Sequence, residues 1–210
     1  DPKDPNTNQG YEELEKSYTA TYGQTLHDIE LPNSQWTWDT IDGQDGDNQD
    51  VGPVGDDKTF HATFKPKDTN NYNPVPAEVT VNVEPATPSS ENQDKSGYKE
   101  PTPEDLKAIY SQQLGNINMP EGWSWDEGNS TPVGDVTEDG NKHTATFTSP
   151  SNPANFKTVQ KEFTIQVEPA KPDNYTVPQN LTATYDQTLQ NVQLPEGGSW
   201  DSPNDPVGNV

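Results

Sequence analysis

The feature that most constrains this chain is an internal repeat. Residues 18–26 read YTATYGQTL, residues 106–114 read LKAIYSQQL, and residues 181–189 read LTATYDQTL. Self-similarity of this kind is typical of proteins built as arrays of small units, in which each copy folds mainly on itself and meets only its neighbours. The sequence therefore predicts several small domains instead of one large one.

The three copies continue with further shared motifs in a fixed order. A Leu-Pro or Met-Pro pair comes next, then a Trp-x-Trp motif or its remnant, then a Val-Gly turn. Only the first two copies go on to an Ala-Thr-Phe motif, an Asn-aromatic pair and a final alternating strand; these motifs lie at residues 62–64, 71–72 and 79–83 and at residues 145–147, 155–156 and 163–167. Residues 175–210 therefore hold only the first half of a copy, without the strands that should cover its core.

The residue pattern predicts an all-β fold. Val79, Val81 and Val83 alternate with polar residues, and short runs rich in Thr, Val and aromatic residues are separated by clusters of Gly, Pro, Asn and Asp. We expect tandem small antiparallel β-sandwich domains of the Ig-like type, with β-grasp-like repeats as the alternative. The segment at 68–72 resembles the tyrosine corner of Ig-like domains, with Phe156 in the place of Tyr72 in the second copy.

The motifs follow one another in a fixed order: Ala-Thr-Tyr-Gly-Gln-Thr-Leu, Leu-Pro, Trp-x-Trp, Val-Gly, Ala-Thr-Phe, Asn-Tyr and Val-x-Val. This ordered set resembles the mostly-β, Ig-like Tyr-Gly-x repeats of Gram-positive cell-surface adhesins. Ser111 and Asp186 depart from that pattern, because they stand where the family prefers glycine. The resemblance implies an extracellular, cell-wall-anchored protein in which these repeats form a stalk, although the anchor is not in this sequence.

The repeats divide the chain into five segments. We predict an N-terminal linker at 1–17, a first β-repeat at 18–88, a linker at 89–101, a second β-repeat at 102–172, and the first half of a third β-repeat at 175–210. The segment at 89–101 is rich in polar residues and proline, so we expect it to be a mobile or semi-extended joint that contributes nothing to a core.

Composition excludes several classes of partner. The net charge is −23, which argues against nucleic acid and anionic membrane surfaces. There is no cysteine, so disulfides and thiolate metal sites are excluded. No apolar run is long enough to insert directly into a membrane. The expected partners are the neighbouring repeats of the same chain, and we expect the chain to be a monomer.

Two Trp-x-Trp motifs are the best candidates for ligand binding. Trp38, Trp125 and Trp200 share a position that is Trp in every copy, which indicates packing in a core. Trp36 and Trp123 correspond to Gly198, so their position tolerates loss of the ring and is expected at the surface. Exposed rings there would stack on sugars, and Trp36 and Trp123 are therefore the predicted site for host glycan or mucin.

The loop after Trp38 is longer in the first copy and carries Asp42, Asp45 and Asp47. Carboxylates on a Gly-rich loop suit Ca²⁺, although the spacing differs from that of an EF-hand and no closing Glu follows. The alternative is a solvated acidic loop. The three histidines, His27, His61 and His143, occupy unrelated positions in the copies. A repeated active site would recur, so we expect no enzyme.

These observations lead to two hypotheses for the function. In the first, the repeats are a structural spacer that projects a distal binding domain from the cell wall. In the second, they are an adhesive module that binds glycan or mucin through exposed Trp side chains.

Overall fold

A computed structural model describes residues 9–41, 43 and 45–208. It confirms the all-β prediction. The strands are β1 (Tyr18–Thr21), β2 (Trp36–Trp38), β3 (Gly55–Phe64), β4 (Val75–Glu84), β5 (Lys107–Ile109), β6 (Trp123–Trp125), β7 (Asn141–Phe147) and β8 (Val159–Glu168), and one short helix, α1, spans Gln93–Ser96. Single 3₁₀ turns lie at Leu26–Asp28, Gly46–Asn48, Ser90–Asn92, Leu114–Asn116 and Leu189–Asn191.

The strands form two four-stranded sheets of the same topology, one in each complete copy. Their orders are β1-β4-β3-β2 and β5-β8-β7-β6. The first strand of each copy pairs in parallel with the last, and the other pairs are antiparallel. The expectation of purely antiparallel pairing is therefore wrong for one pair in each sheet. A long connection separates β1 from β4 along the chain, which is what a parallel pair requires.

One face of each sheet is buried, as the alternating pattern predicts. In β4, Val79, Val81 and Val83 are buried while the residues between them are more exposed, and β8 repeats this with Phe163, Ile165 and Val167. Residues from loops cover this face: Leu26, Ile29 and Val51 in repeat 1, and Leu114, Ile117 and Val133 in repeat 2. The two-sheet sandwich is not confirmed.

A tight turn recurs at the same place in all three copies, which is directly after the first strand in the two complete repeats. Gly23, Ser111 and Asp186 have φ values of 92°, 75° and 70°. The glutamine that follows each of them turns back, and its side-chain oxygen accepts a hydrogen bond from the backbone three residues earlier, at 2.7, 2.8 and 2.7 Å. This shared turn explains why a glutamine follows the variable residue in each copy.

The chain divides after Glu168 into two compact units. Both complete repeats belong to the first unit. Within the second, residues 169–208 contain a 3₁₀ turn and an isolated bridge between Thr188 and Pro206, but no strand. In the complete repeats the first strand pairs only with the fourth, and residues 169–208 form no such pair. Leu181, the counterpart of Tyr18, is accordingly 42% exposed.

Candidate functional site: the junction between the repeats

The structure places the predicted glycan-binding tryptophans inside the protein. Trp36 is 4% exposed and Trp123 is 9% exposed. Their indole N–H groups donate to backbone carbonyls, of Glu12 at 3.0 Å and of Lys99 at 2.8 Å. The prediction that these rings lie at the surface is wrong, because a segment before the first strand of each copy covers them. Trp38 and Trp125, by contrast, are buried as predicted.

The covering segments are centred on two tyrosines that lie in the predicted linkers, at 1–17 and 89–101. Tyr11 lies 5.8 Å from Trp36 and 5.1 Å from Phe64, between ring centroids. Tyr98 lies 5.9 Å from Trp123 and 5.0 Å from Phe147 in the same arrangement. The prediction that residues 89–101 contribute nothing to a core is therefore wrong.

A sequence signal for these tyrosines exists. Both follow a glycine and both stand 25 residues before the first Trp of the motif, since 36 − 11 and 123 − 98 are each 25. The variable sequence between Tyr11 and the first strand hides the correspondence.

A small polar cluster holds Tyr98 in place. Its hydroxyl donates to Glu100 Oε1 at 2.8 Å, and the ammonium of Lys161 contacts the same carboxylate and lies 5.9 Å from the Tyr98 ring centroid. The hydrogen bond from Lys161, with that from Tyr98, lowers the pKa of Glu100, and the same carboxylate raises the pKa of Lys161. Burial, followed by the hydrogen bond with Glu100, raises the pKa of Tyr98. In repeat 1, Ala77 stands in the place of Lys161.

The predicted calcium loop is described only in part. Asp42 lies outside the described residues. Asp45 accepts a backbone hydrogen bond from Asp47 at 3.3 Å, and Asp47 lies 3.9 Å from the His27 ring nitrogen. Across the part of the chain that the structure describes, no group of three or more His, Cys, Asp or Glu side chains could hold a metal ion. The loop thus closes on its own backbone, and its calcium role stays a prediction.

The two complete repeats contact each other through an aromatic cluster and a set of hydrogen bonds, which together form the junction. The rings of Tyr22 in repeat 1 and Phe156 in repeat 2 meet edge to face, with centroids 5.3 Å apart and planes at 85°. Lys95, at the end of α1, places its ammonium 5.9 Å from the Tyr22 ring centroid. Edge-to-face pairs and cations over aromatic faces are both favourable arrangements, so this cluster binds one repeat to the next.

Hydrogen bonds fix the register of the junction. Ala86 pairs in parallel with Phe156: its N–H donates to the Asn155 carbonyl at 3.0 Å, and its carbonyl accepts from the Lys157 N–H at 2.8 Å. The Asn155 side chain accepts from the Val54 N–H at 2.9 Å. Because backbone bonds and a side-chain bond converge on residues 155–157, the contact is directional as well as apolar.

Phe156 and Ala86 are each 5% exposed, but neither belongs to the core of a repeat. The burial of both is a property of the junction. The role inside its own domain that the tyrosine-corner resemblance implied for Phe156 is therefore wrong. The reason is that this segment extends from its own sheet and reaches the preceding repeat.

No protein-family model, curated protein or solved structure matches this chain.

Proposed function

We propose that this chain is a stretch of structural spacer from a bacterial cell-surface adhesin, which holds a distal binding domain away from the cell wall. The observation that carries this proposal is the junction. A spacer has to keep successive modules in a fixed order and orientation, and the contacts of Phe156 and Asn155 with repeat 1 supply both. The partners in this function are the neighbouring repeats of the same chain.

The size of each module suits the same role. Strand β4 has 10 residues, and strands rise by about 3.3 Å per residue, so each repeat adds roughly 3 nm if its strands run along the stalk. The net charge of −23 would keep adjacent stalks apart through repulsion. Among the described residues, no helix is long and apolar enough to cross a membrane.

For the fold of each module we propose an Ig-like or a β-grasp-like repeat. The single mixed sheet favours the β-grasp alternative, because Ig-like sandwiches consist of two antiparallel sheets.

The alternative function, glycan or mucin binding, has lost its main support because Trp36 and Trp123 are buried. A glycan and mucin array tests it directly. The full chain is applied with and without calcium, after tryptophan fluorescence has shown that it is folded. The spacer proposal predicts no specific binding. Specific binding to a glycan class would overturn the proposal in favour of an adhesive module.

A second experiment measures the spacer role itself. The chain is placed between a cell-surface anchor and a fluorescent protein, and the height of the fluorophore above the surface is compared with that in a chain lacking residues 85–168. We expect the deletion to lower the fluorophore by roughly 3 nm. An unchanged height would contradict the proposal.

A further inference from the structure

Repeat 2 carries a second copy of the surface by which repeat 1 holds its neighbour. The two positions that define this surface on repeat 1 are Tyr22, whose ring meets Phe156, and Val54, whose backbone N–H donates to the Asn155 side chain. Their counterparts on repeat 2, from the motif alignment, are Tyr110 and Val136. Tyr110 is 48% exposed and Val136 is 47% exposed. Tyr22 and Val54 are half-buried in repeat 1. Large apolar groups that are more exposed in one copy than in the other indicate an unfilled interface.

The backbone presents the two tyrosines in the same way in both repeats. The N–H of Tyr22 donates to the carbonyl of Glu84 at 2.9 Å, and the N–H of Tyr110 donates to the carbonyl of Glu168 at 2.8 Å. The turn that follows has a left-handed residue in both cases, Gly23 or Ser111. Tyr110 is therefore held at the same place on its sheet as Tyr22, and its ring is available for the same contact.

The complementary segment also exists in both repeats. Asn155 and Phe156 of repeat 2 correspond to Asn71 and Tyr72 of repeat 1. Each pair follows a turn: the N–H of Tyr72 donates to the Asp68 carbonyl at 3.1 Å, and the N–H of Asn155 donates to the Asn152 carbonyl at 3.0 Å. Each complete repeat therefore has both halves of the contact, an accepting face and an Asn-aromatic segment.

We propose that the face of repeat 2 formed by Tyr110 and Val136 is a docking site for the Asn-aromatic segment of another copy of this repeat. The aromatic ring packs on Tyr110, and the Asn side chain accepts a hydrogen bond from the Val136 N–H. Because the two surfaces in contact are different, the interface is heterologous and extends a row of repeats instead of closing a pair. This docking is independent of the proposed spacer function, which would make use of it.

The test inserts residues 85–168 a second time, directly after Glu168 of the full chain. The inserted copy then follows Glu168 as repeat 2 follows Glu84. Since the chain has no cysteine, two introduced thiols can be joined by a short bis-maleimide without background. The test pair is Asp135→Cys in repeat 2 with Ala154→Cys in the inserted copy. These residues flank Val136 and Asn155 and leave the contacting groups intact.

Two matched pairs calibrate the rate. The first control joins Pro53→Cys to Ala154→Cys of repeat 2 and gives the cross-linking rate at the junction between repeats 1 and 2. The second joins Ser124→Cys to Ala154→Cys of the inserted copy and gives the rate of chance encounter, because Ser124 is exposed on the edge strand β6. We expect the test pair to react at about the rate of the first, and at least about tenfold faster than the second, because docking raises the local concentration of the thiols. Adding Tyr110→Ser should remove that difference.

A test pair that reacts only at the chance rate, in a molecule whose Pro53 pair reacts normally, would sink the proposal.

Hydrogen exchange of the inserted copy has to match that of repeat 2. If it does not, full chains carrying Asp135→Cys are mixed with full chains carrying Asn70→Cys, the counterpart of Ala154→Cys in repeat 1. Cross-linking of this mixture above a Ser124→Cys mixture supports docking, and equal cross-linking overturns it. Neither result depends on the glycan array or on the height measurement.

Discussion

The two complete repeats solve the same packing problem with different residues. In repeat 1, the cross-strand pair is Phe60 on β3 and Val79 on β4, and Trp38 packs on Phe60 with ring centroids 6.4 Å apart. In repeat 2, the same pair is His143 on β7 and Phe163 on β8.

Trp125 packs edge to face on Phe163 at 6.3 Å and lies 6.2 Å from His143. The phenylalanine of this pair is therefore on the third strand in repeat 1 and on the fourth strand in repeat 2. Each tryptophan still has one phenylalanine against its ring, so total volume and edge-to-face packing matter more than which strand supplies the ring.

The largest effect should come from the phenylalanine that both repeats keep in the same place. Phe64 and Phe147 are each fully buried and each contact the first Trp of their motif. Substitution of either by Ala should lower the free energy of unfolding by about 3–5 kcal/mol. Urea titration followed by hydrogen exchange of peptides from each repeat would measure it. A loss confined to one of the two variants would break the equivalence of the repeats.

Substitution of the covering tyrosines should lower the free energy of unfolding by different amounts in the two repeats. Tyr98 is 6% exposed and is held by Glu100 and Lys161, whereas Tyr11 is only partly buried. We expect Tyr98→Ala to cost about 3 kcal/mol and Tyr11→Ala about 1.5 kcal/mol.

Iodide quenching of tryptophan fluorescence, with Tyr98→Phe as the control, would show whether the first Trp becomes exposed. Equal costs for the two alanine variants would show that the polar cluster adds nothing.

Substitutions in the turn after the first strand should have smaller effects, which stabilise repeat 2 and destabilise repeat 1. Ser111 adopts a left-handed conformation with a φ of 75°, at a position where repeat 1 has Gly23. A side chain is strained there, so Ser111→Gly should raise the free energy of unfolding by about 0.5–1 kcal/mol and raise the melting temperature with it. Gly23→Ser should lower it by a similar amount. Calorimetry of both variants checks this, and a destabilised Ser111→Gly variant would contradict it.

The smallest effect is a dependence on pH around the covering tyrosine, which we expect at Tyr98 of repeat 2 and not at Tyr11. The pKa of Glu100 is lowered from its usual 4.5 by the hydrogen bonds from Lys161 and Tyr98. The unfolded chain therefore takes up the proton first as the pH falls. This stabilisation is present above about pH 4.5 and is lost below it.

Hydrogen exchange between pH 6 and pH 3 should show extra loss of protection around Tyr98. Glu100→Gln should abolish that loss, and the region of Tyr11, which lacks a counterpart of Lys161, should show none.

The sequence predicted the parts of this fold that depend on local pattern. Strand alternation placed Val79, Val81 and Val83 correctly on the buried face, and the comparison of three copies identified Trp38 and Trp125 as core residues. The same comparison misplaced Trp36 and Trp123. It treated the Gly198 counterpart as evidence for a surface position, although residues 169–208 contain no strand to form a core around a ring.

The junction could not be predicted because its contacts are far apart in sequence. Tyr22 and Phe156 belong to two motifs that each looked internal to one copy, and only the folded chain shows that they meet. The parallel pairing of β1 with β4 is hidden for the same reason, since alternation reveals which face of a strand is buried but not the direction of its neighbour.

That parallel pairing has a mechanical consequence. Tyr18 pairs with Val81 and Thr21 with Glu84, so the chain enters the ladder at one end and leaves it at the other. Tension applied through the two ends of a repeat would therefore pull β1 and β4 past each other along their length, and their hydrogen bonds would share the load in shear instead of opening one at a time. A repeat tethered at one end and pulled at the other by flowing liquid would resist as a clamp.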